Sequence, residues 1–218
     1  MEVHKTIEQV TELVLQELLQ AGIRIAPDPM EIPVNISGRH LHLCQRDFET
    51  LFGSGAQLTV EKPISQPGQF ASRQFVTLTG PRGCIPNLRV LGSLRSESQV
   101  ELAMSEARRI GLRPPVRSSG DLMGSPGVLL TGPAGSVRLE LGAIVADRHI
   151  HMTPAQAALW SLTDGQRIRV RLATEKGGIL DCVTVQVGEN YALDMHLDAD
   201  DANAFLIQEN CRGTILVS

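Results

Sequence analysis

Aromatic residues are scarce, with one Trp, one Tyr and five Phe in 218 residues. A core of this size must therefore be assembled mainly from Val, Ile, Leu and Ala. No apolar run approaches the length of a membrane span, which excludes a helical membrane anchor. Clustered Lys and Arg are missing as well, and the formal net charge is −4. Nucleic acid is thereby excluded as a partner, because binding a phosphate backbone needs a basic stripe. The four cysteines, at positions 44, 84, 182 and 211, include no Cys-x-x-Cys pair, so the chain reads as reduced and intracellular. Its first residues, Met1 to Lys5, lack the charged, apolar, then small-residue order of a secretion signal. A place in the cytoplasm, or inside something within it, is expected.

Glycine and proline are plentiful, at 20 and 12 residues. They favour many short strands joined by tight turns over long helices. The content is otherwise globular, 42% hydrophobic and 20% charged, and the length allows one large domain or two small ones. Residues 1–22 differ from the rest. Val3, Ile7, Val10, Val14, Leu18 and Ala21 form one stripe of an amphipathic helix, and Gly22 offers a stop. Pro27, Pro29 and Pro33 make the following stretch extended, a spacer from which such a helix docks on a partner. A helix packed on its own domain is the other reading.

From Ile32 onward the pattern is β. Gln57–Val60, Gln74–Leu78, Arg167–Leu172 and Val183–Val187 alternate apolar with polar residues. Gly-Pro-x-Gly at 80–83 and 132–135, and Gly177-Gly178, signal turns. Short helices are expected at Arg46–Leu51, Met104–Ile110 and Thr153–Trp160, the last with Thr153 as N-cap and Pro154 in the first turn. Residues 113–127 read as a loop.

The chain also repeats itself. Ile36-Ser-Gly-Arg-His-Leu-His-Leu43 resembles Val145-Ala-Asp-Arg-His-Ile-His-Met152, at an offset of 109. That offset also sets Gln57 over Gln166, each expected to open a strand. Two related halves with matching histidine arms follow. On an extended strand residues i and i+2 share a face, so His40 and His42, like His149 and His151, present paired imidazoles. Neutral imidazole is the commonest ligand for zinc and similar metals. His196 adds a fifth histidine in a polar context. Glu101, between Val100 and Leu102, is the strongest carboxylate candidate, and Arg95 is the nearby cation whose fork suits phosphate. Arg39 and Arg148, each beside a His-x-His, can steady an anion or pair with Asp147 or a neighbouring carboxylate.

Other frameworks fail on the residues. Neither arm is followed by the Glu of a cupin barrel, and there is no His-Glu-x-x-His or Walker loop. Ser37 lacks the Gly-x-Ser-x-Gly frame of a nucleophile elbow.

Four stretches, in order, carry a resemblance to a known family: Val34–Leu43, Val90–Leu102, Ala146–Thr153 and His196–Asn203. Over roughly residues 30–218 the chain resembles the phosphate propanoyltransferases of bacterial microcompartments, the Pdu-type phosphotransacylases. It departs where Glu101-Leu-Ala-Met replaces the usual Ile-Ser continuation, and where Ser93 replaces a usual Pro. The resemblance implies a mainly β fold of two pseudo-symmetric β-barrels with a crossover, residues 23–38 and 147–218 forming one and 39–146 the other. It implies two zinc ions, one on His40 and His42, the other on Glu101, His149, His151 and His196. Arg95 would bind phosphate, and Ser37, Lys62, Arg89, Leu91 and Asn203 would line a coenzyme A channel. Residues 1–22 would direct the enzyme to shell or core proteins in a microcompartment lumen.

The implied reaction interconverts a short acyl-CoA, propanoyl or acetyl, plus phosphate with acyl phosphate plus CoA. Direct transfer is favoured, with Cys44 keeping an acyl-enzyme open. A two-metal thioester or phosphoester hydrolase is the rival enzyme, and a zinc-binding shell or scaffold protein the non-catalytic rival. The acyl chain, the metals' identity and the oligomeric state, homo-oligomer included, stay open.

Overall fold

The computed structural model describes residues 13, 14, 17, 18, 20 and 21 and residues 30–216. The helix expected over 1–22 lies largely outside them. Residues 13, 14, 17, 18 and 20 are helical, with Leu13 and Val14 exposed. No helix among the described residues is long and apolar enough to cross a membrane.

The architecture is mainly β, as the alternating patterns and glycine turns require. Six strands close a barrel in the order β1 (Glu31–Ile36), β14 (Asp194–Leu197), β11 (His149–Met152), β13 (Gly178–Val187), β12 (Arg167–Leu172) and β15 (Arg212–Leu216). The remaining nine form a second sheet whose ends do not join. It runs β7 (Val116–Arg117), β10 (Ala143–Ala146), β6 (Gln99–Glu101), β2 (His40–His42), β5 (Gly83–Gly92), β4 (Phe70–Gly80), β8 (Val128–Thr131) and β9 (Ser136–Leu139), with β3 (Val60–Pro63) on β4. The second half is therefore a curled open sheet, not a closed barrel. Among the described residues no strand pairs with both β4 and β10 as β15, which bridges β1 and β12, does in the first.

Each half has its own core. Ile32, Val34, Ile150, Met152, Trp160 and Val170 pack inside the barrel. Leu41, Leu43, Phe48, Leu78, Val90 and Val100 pack behind the open sheet. Apolar residues alternate with histidines on both arms, so burying Leu41 or Ile150 turns the imidazoles the other way.

The repeat appears as topology. β2 lies parallel to β5 and antiparallel to β6, as β11 lies parallel to β13 and antiparallel to β14. The strand before each arm belongs to the opposite sheet, β1 pairing with β14 and β10 with β6. The chain thus crosses between the sheets at 37–39 and again at 147–148. The offset match fails after the first helix. Gln57 opens no strand, since β3 begins at Val60, and by its pairing with β5 it is β4 that corresponds to β12.

The three expected helices form as α1 (Gln45–Phe52), α2 (Met104–Arg109) and α3 (Pro154–Trp160), the last capped by Thr153 Oγ1 accepting from the Gln156 N–H. A fourth, α4 (Ala199–Phe205), forms where none is expected, because the Asp198 carboxylate accepts the Asp201 N–H at its start.

Candidate active site

The two histidine arms meet at one cleft between the sheets. In each arm the first histidine is fixed by its own chain. His40 Nδ1 lies 2.8 Å from the Gly38 carbonyl and His149 Nδ1 2.7 Å from the Asp147 carbonyl. An Nδ1–H donated there leaves the Nε2 lone pair for the cleft. The second histidines are oriented otherwise. His151 Nε2 reaches Gln186 Oε1 at 3.0 Å, while the buried Nδ1 atoms of His151 and His42 have no hydrogen-bond partner among the described residues.

Strand register completes two clusters. His149 faces His196 across β14, and the rings of His149, His151 and His196 stand with centroids 4.7–5.0 Å apart. His40 faces Glu101 across β6, its Nε2 3.4 Å from Glu101 Oε2. The donor atoms of His149, His151 and His196 lie within 4.8 Å of one another, and so do those of His40, His42 and Glu101. Geometry thus sets Glu101 with the first arm, where the resemblance assigns it to the second. Glu101 still faces both sides, since it and His196 line a shared small cavity.

Electrostatics suits cation binding. Burial pushes His42 down to about 3, helped by His40 and Arg95. Burial likewise lowers His151 to about 3, with His149 and His196 adding to it, and His196 to about 4, with His149 adding to it. These imidazoles are therefore neutral near pH 7 and free to donate lone pairs. For Glu101 burial alone would raise the carboxyl. His40 and His42, a hydrogen bond from Ser119 and the charge of Arg95 outweigh it and hold the group at about 2. Two imidazole-rich groups, one with an ionised carboxylate and each with an unpartnered buried nitrogen, fit divalent metal ions such as zinc.

Arg95 enters beside the first arm. Its backbone bridges Cys44, with its N–H on the Leu43 carbonyl at 2.9 Å. Its guanidinium donates to Ser119 Oγ at 2.8 Å, and Ser119 in turn donates to Glu101 Oε1 at 2.9 Å. Gln99 Nε2 ties in at 2.6 Å to both Ser119 and Glu101. The cation and the candidate metal carboxylate are therefore one network.

All six candidate ligands, with Arg95, Ser37 and Leu91, line a cleft of about 250 Å³. Lys62, Arg89 and Asn203 do not line it. Lys62 is exposed on β3, in the same row across β4 as Leu91. Arg89 stacks 4.3 Å above Phe75 and donates to the Ser72 carbonyl, and Asn203 is exposed on α4. Cys44 lines a different cavity, its sulfur 3.5 Å from Ser98 Oγ. Arg39 and Arg148 also turn away, pairing with Glu106 at 2.7 Å and, through two nitrogens, with Asp201 at 2.7 Å.

Sequence reasoning missed Asp194, Gln186, Tyr191, Gln66 and Ser119. Asp194 is buried opposite His151, held by Asn35 at 2.8 Å, with its free oxygen 3.4 Å from His196 Nε2. Its position two residues before His196, on the same strand face, is a signal that could have found it. The others come from loops or a distant strand and carry none.

The chain is similar to known proteins along most of its length. The model of the phosphate propanoyltransferase family matches residues 33–208. A phosphate propanoyltransferase of Rhodopseudomonas palustris (strain BisB18) is 42% identical over 213 residues, 94% of each chain. One of Thermotoga maritima is 46% identical over 177 residues, 81% of this chain and 84% of that one. One of Salmonella typhimurium is 42% identical over 193 residues, 87% of this chain and 91% of that one. With most of its length matched at this identity, the chain belongs to the phosphate propanoyltransferase family, and so to the acyltransferases.

Proposed function

We propose that this enzyme transfers a propanoyl or acetyl group between coenzyme A and phosphate at a dinuclear zinc centre held by His40, His42, Glu101, His149, His151 and His196. The observation that carries the proposal is the meeting of both histidine arms with the Arg95–Ser119–Glu101 network in one cleft. Zinc bound there supplies Lewis acidity toward the thioester carbonyl and favours the thiolate form of the CoA sulfur. The protein's own residues do the rest. Arg95 binds phosphate oxygens through its planar fork and sets one of them toward the carbonyl carbon. Ser119 and Glu101 hold the guanidinium in that pose, which removes part of the entropic cost of bringing two reactants together. Phosphate oxygen attacks the carbonyl carbon, the carbon–sulfur bond breaks, and the proton carried by phosphate ends on the sulfur. The placement of Cys44 in a separate cavity supports direct transfer over an acyl-enzyme.

Ser37 and Leu91 at the cleft, together with Lys62, Arg89 and Asn203, would hold coenzyme A. The location proposed is the lumen of a bacterial microcompartment, with residues 1–22 as the segment that binds shell or core proteins.

The test is CoA release from propanoyl-CoA, with metal analysis of the same protein. About two zinc ions per chain, activity that requires phosphate, and loss on chelation with return on zinc addition are expected. CoA release that proceeds without phosphate would make the enzyme a hydrolase and refute the reading.

A further inference from the structure

The groups around the cleft are mostly polar or ionisable, and they suit phosphate, metal and thioester. Against them stand three half-buried side chains of another kind, Ile64, Leu91 and Tyr191. Ile64 and Leu91 belong to neither hydrophobic core, so packing the two halves does not explain them. Tyr191 lays its ring 4.2 Å from that of His151. The three are brought together from separate elements: Leu91 from β5, Ile64 from the turn after β3, and Tyr191 from the turn after β13.

That wall is fastened. Gln66, only 3% exposed, donates its Nε2 to the Ala192 carbonyl at 3.1 Å and accepts the Ala192 N–H on Oε1 at 3.2 Å. One amide side chain, itself part of the cleft's lining, thus ties the first half's 64–69 turn to the second half's 188–192 turn. Each turn is also closed internally, by Ile64 N–H to the Gln69 carbonyl at 3.3 Å and Tyr191 N–H to the Gly188 carbonyl at 3.1 Å. An apolar wall fixed at both ends cannot widen freely for a larger ligand.

We infer that Ile64 and Tyr191 receive the hydrocarbon tail of the acyl group, with Leu91 serving both that tail and the thiol end of coenzyme A to which it is joined, and that the Gln66 latch sets the depth available to it. This rests on the acyl-transfer reading above. The tail is the apolar part of reactants that otherwise carry charge at the reacting centre, and its carbonyl must stay beside the histidines that Tyr191 and Gln66 adjoin. One methylene in an apolar pocket changes kcat/KM by roughly ten- to two-hundredfold. A wall of this kind therefore discriminates among acetyl, propanoyl and butanoyl groups.

The experiment measures kcat/KM for acetyl-, propanoyl-, butanoyl- and hexanoyl-CoA at saturating phosphate, in the full-length zinc-loaded enzyme. Ile64→Ala should raise the butanoyl-to-acetyl ratio about tenfold. Ile64→Phe should lower the propanoyl-to-acetyl ratio, and Gln66→Leu should flatten the whole profile. Since Ile64 is half-exposed and outside both cores, both of its variants should fold, and melting curves with zinc content check this; should one fail, the other decides. A common fall for all four substrates, with ratios unchanged, would overturn the assignment. Wild-type enzyme that releases no CoA from any substrate in phosphate would instead overturn the acyl-transfer reading.

Discussion

On the proposed reading, Arg95 is the residue on which phosphate recognition turns. Losing a hydrogen bond to a charged group costs about 1.5–3 kcal/mol, which corresponds to roughly ten- to more than a hundredfold in kcat/KM. Arg95→Ala should raise KM for phosphate and lower turnover while zinc content stays at the wild-type level. Arg95→Lys should recover only part, since a point charge does not copy the fork. Zinc lost from the alanine variant would make Arg95 structural. Ser119 permits a subtler test, because its hydroxyl accepts from Arg95 and donates to Glu101. Ser119→Ala should raise KM for phosphate more than it lowers kcat, and Ser119→Thr, which keeps the hydroxyl, should restore it. Equal behaviour of the two variants would remove Ser119 from the network.

At the scale of elements, the duplicated arginines turn out to be clamps. Arg39 joins the first arm to Glu106 on α2, and Arg148 joins the second to Asp201 on α4, so each arm is tied to the helix that follows its antiparallel partner strand. The sequence showed the two arginines but left anion binding and carboxylate pairing open, because neither Glu106 nor Asp201 is adjacent in the chain. Arg148 makes the two-pronged contact and is the less exposed of the pair, at 36% against 44% for Arg39. Arg148→Ala should therefore cost more stability than Arg39→Ala, about 1–3 kcal/mol in urea unfolding, with the denaturant slope unchanged. Equal midpoints for the two variants would refute the clamp. Helix α4 teaches a related lesson. The structure shows its Asp198 cap, but seven residues without an apolar stripe give no helical period to read in the sequence.

For the molecule as a whole, the histidine clusters set how stability depends on pH. His42 and His151 at about 3 and His196 at about 4 compare with 6.5 in the unfolded chain. The unfolded state thus binds more protons below pH 6.5, so their contribution is complete above 6.5 and is lost as pH falls toward 3–4. Glu101, held at about 2 against 4.5, acts in the same direction over a lower window. Asp194, raised by burial, opposes them. The melting temperature of chelator-treated enzyme should fall steadily from pH 7 to pH 4, and a flat profile would sink this account. Bound zinc should steepen the fall, since protons compete for the same nitrogens.

Residues alone determined the mainly β class, three of the four short helices found among residues 30–216, the glycine turns and the two His-x-His arms. All of these rest on periods of two or four residues and on local turn chemistry. The duplicated arms and the four ordered stretches further pointed to the family and to Glu101 and Arg95. Tertiary structure alone decided that the second sheet stays open, that Glu101 groups with His40 and His42, and that Ser119 and Gln66 line the cleft. Those choices depend on strand register and loop closure between positions as far apart as Gln66 and Ala192, which lie 126 residues apart. No local pattern encodes such a pairing, because it is set by how two hydrophobic cores bury their strands and bring the crossover segments together.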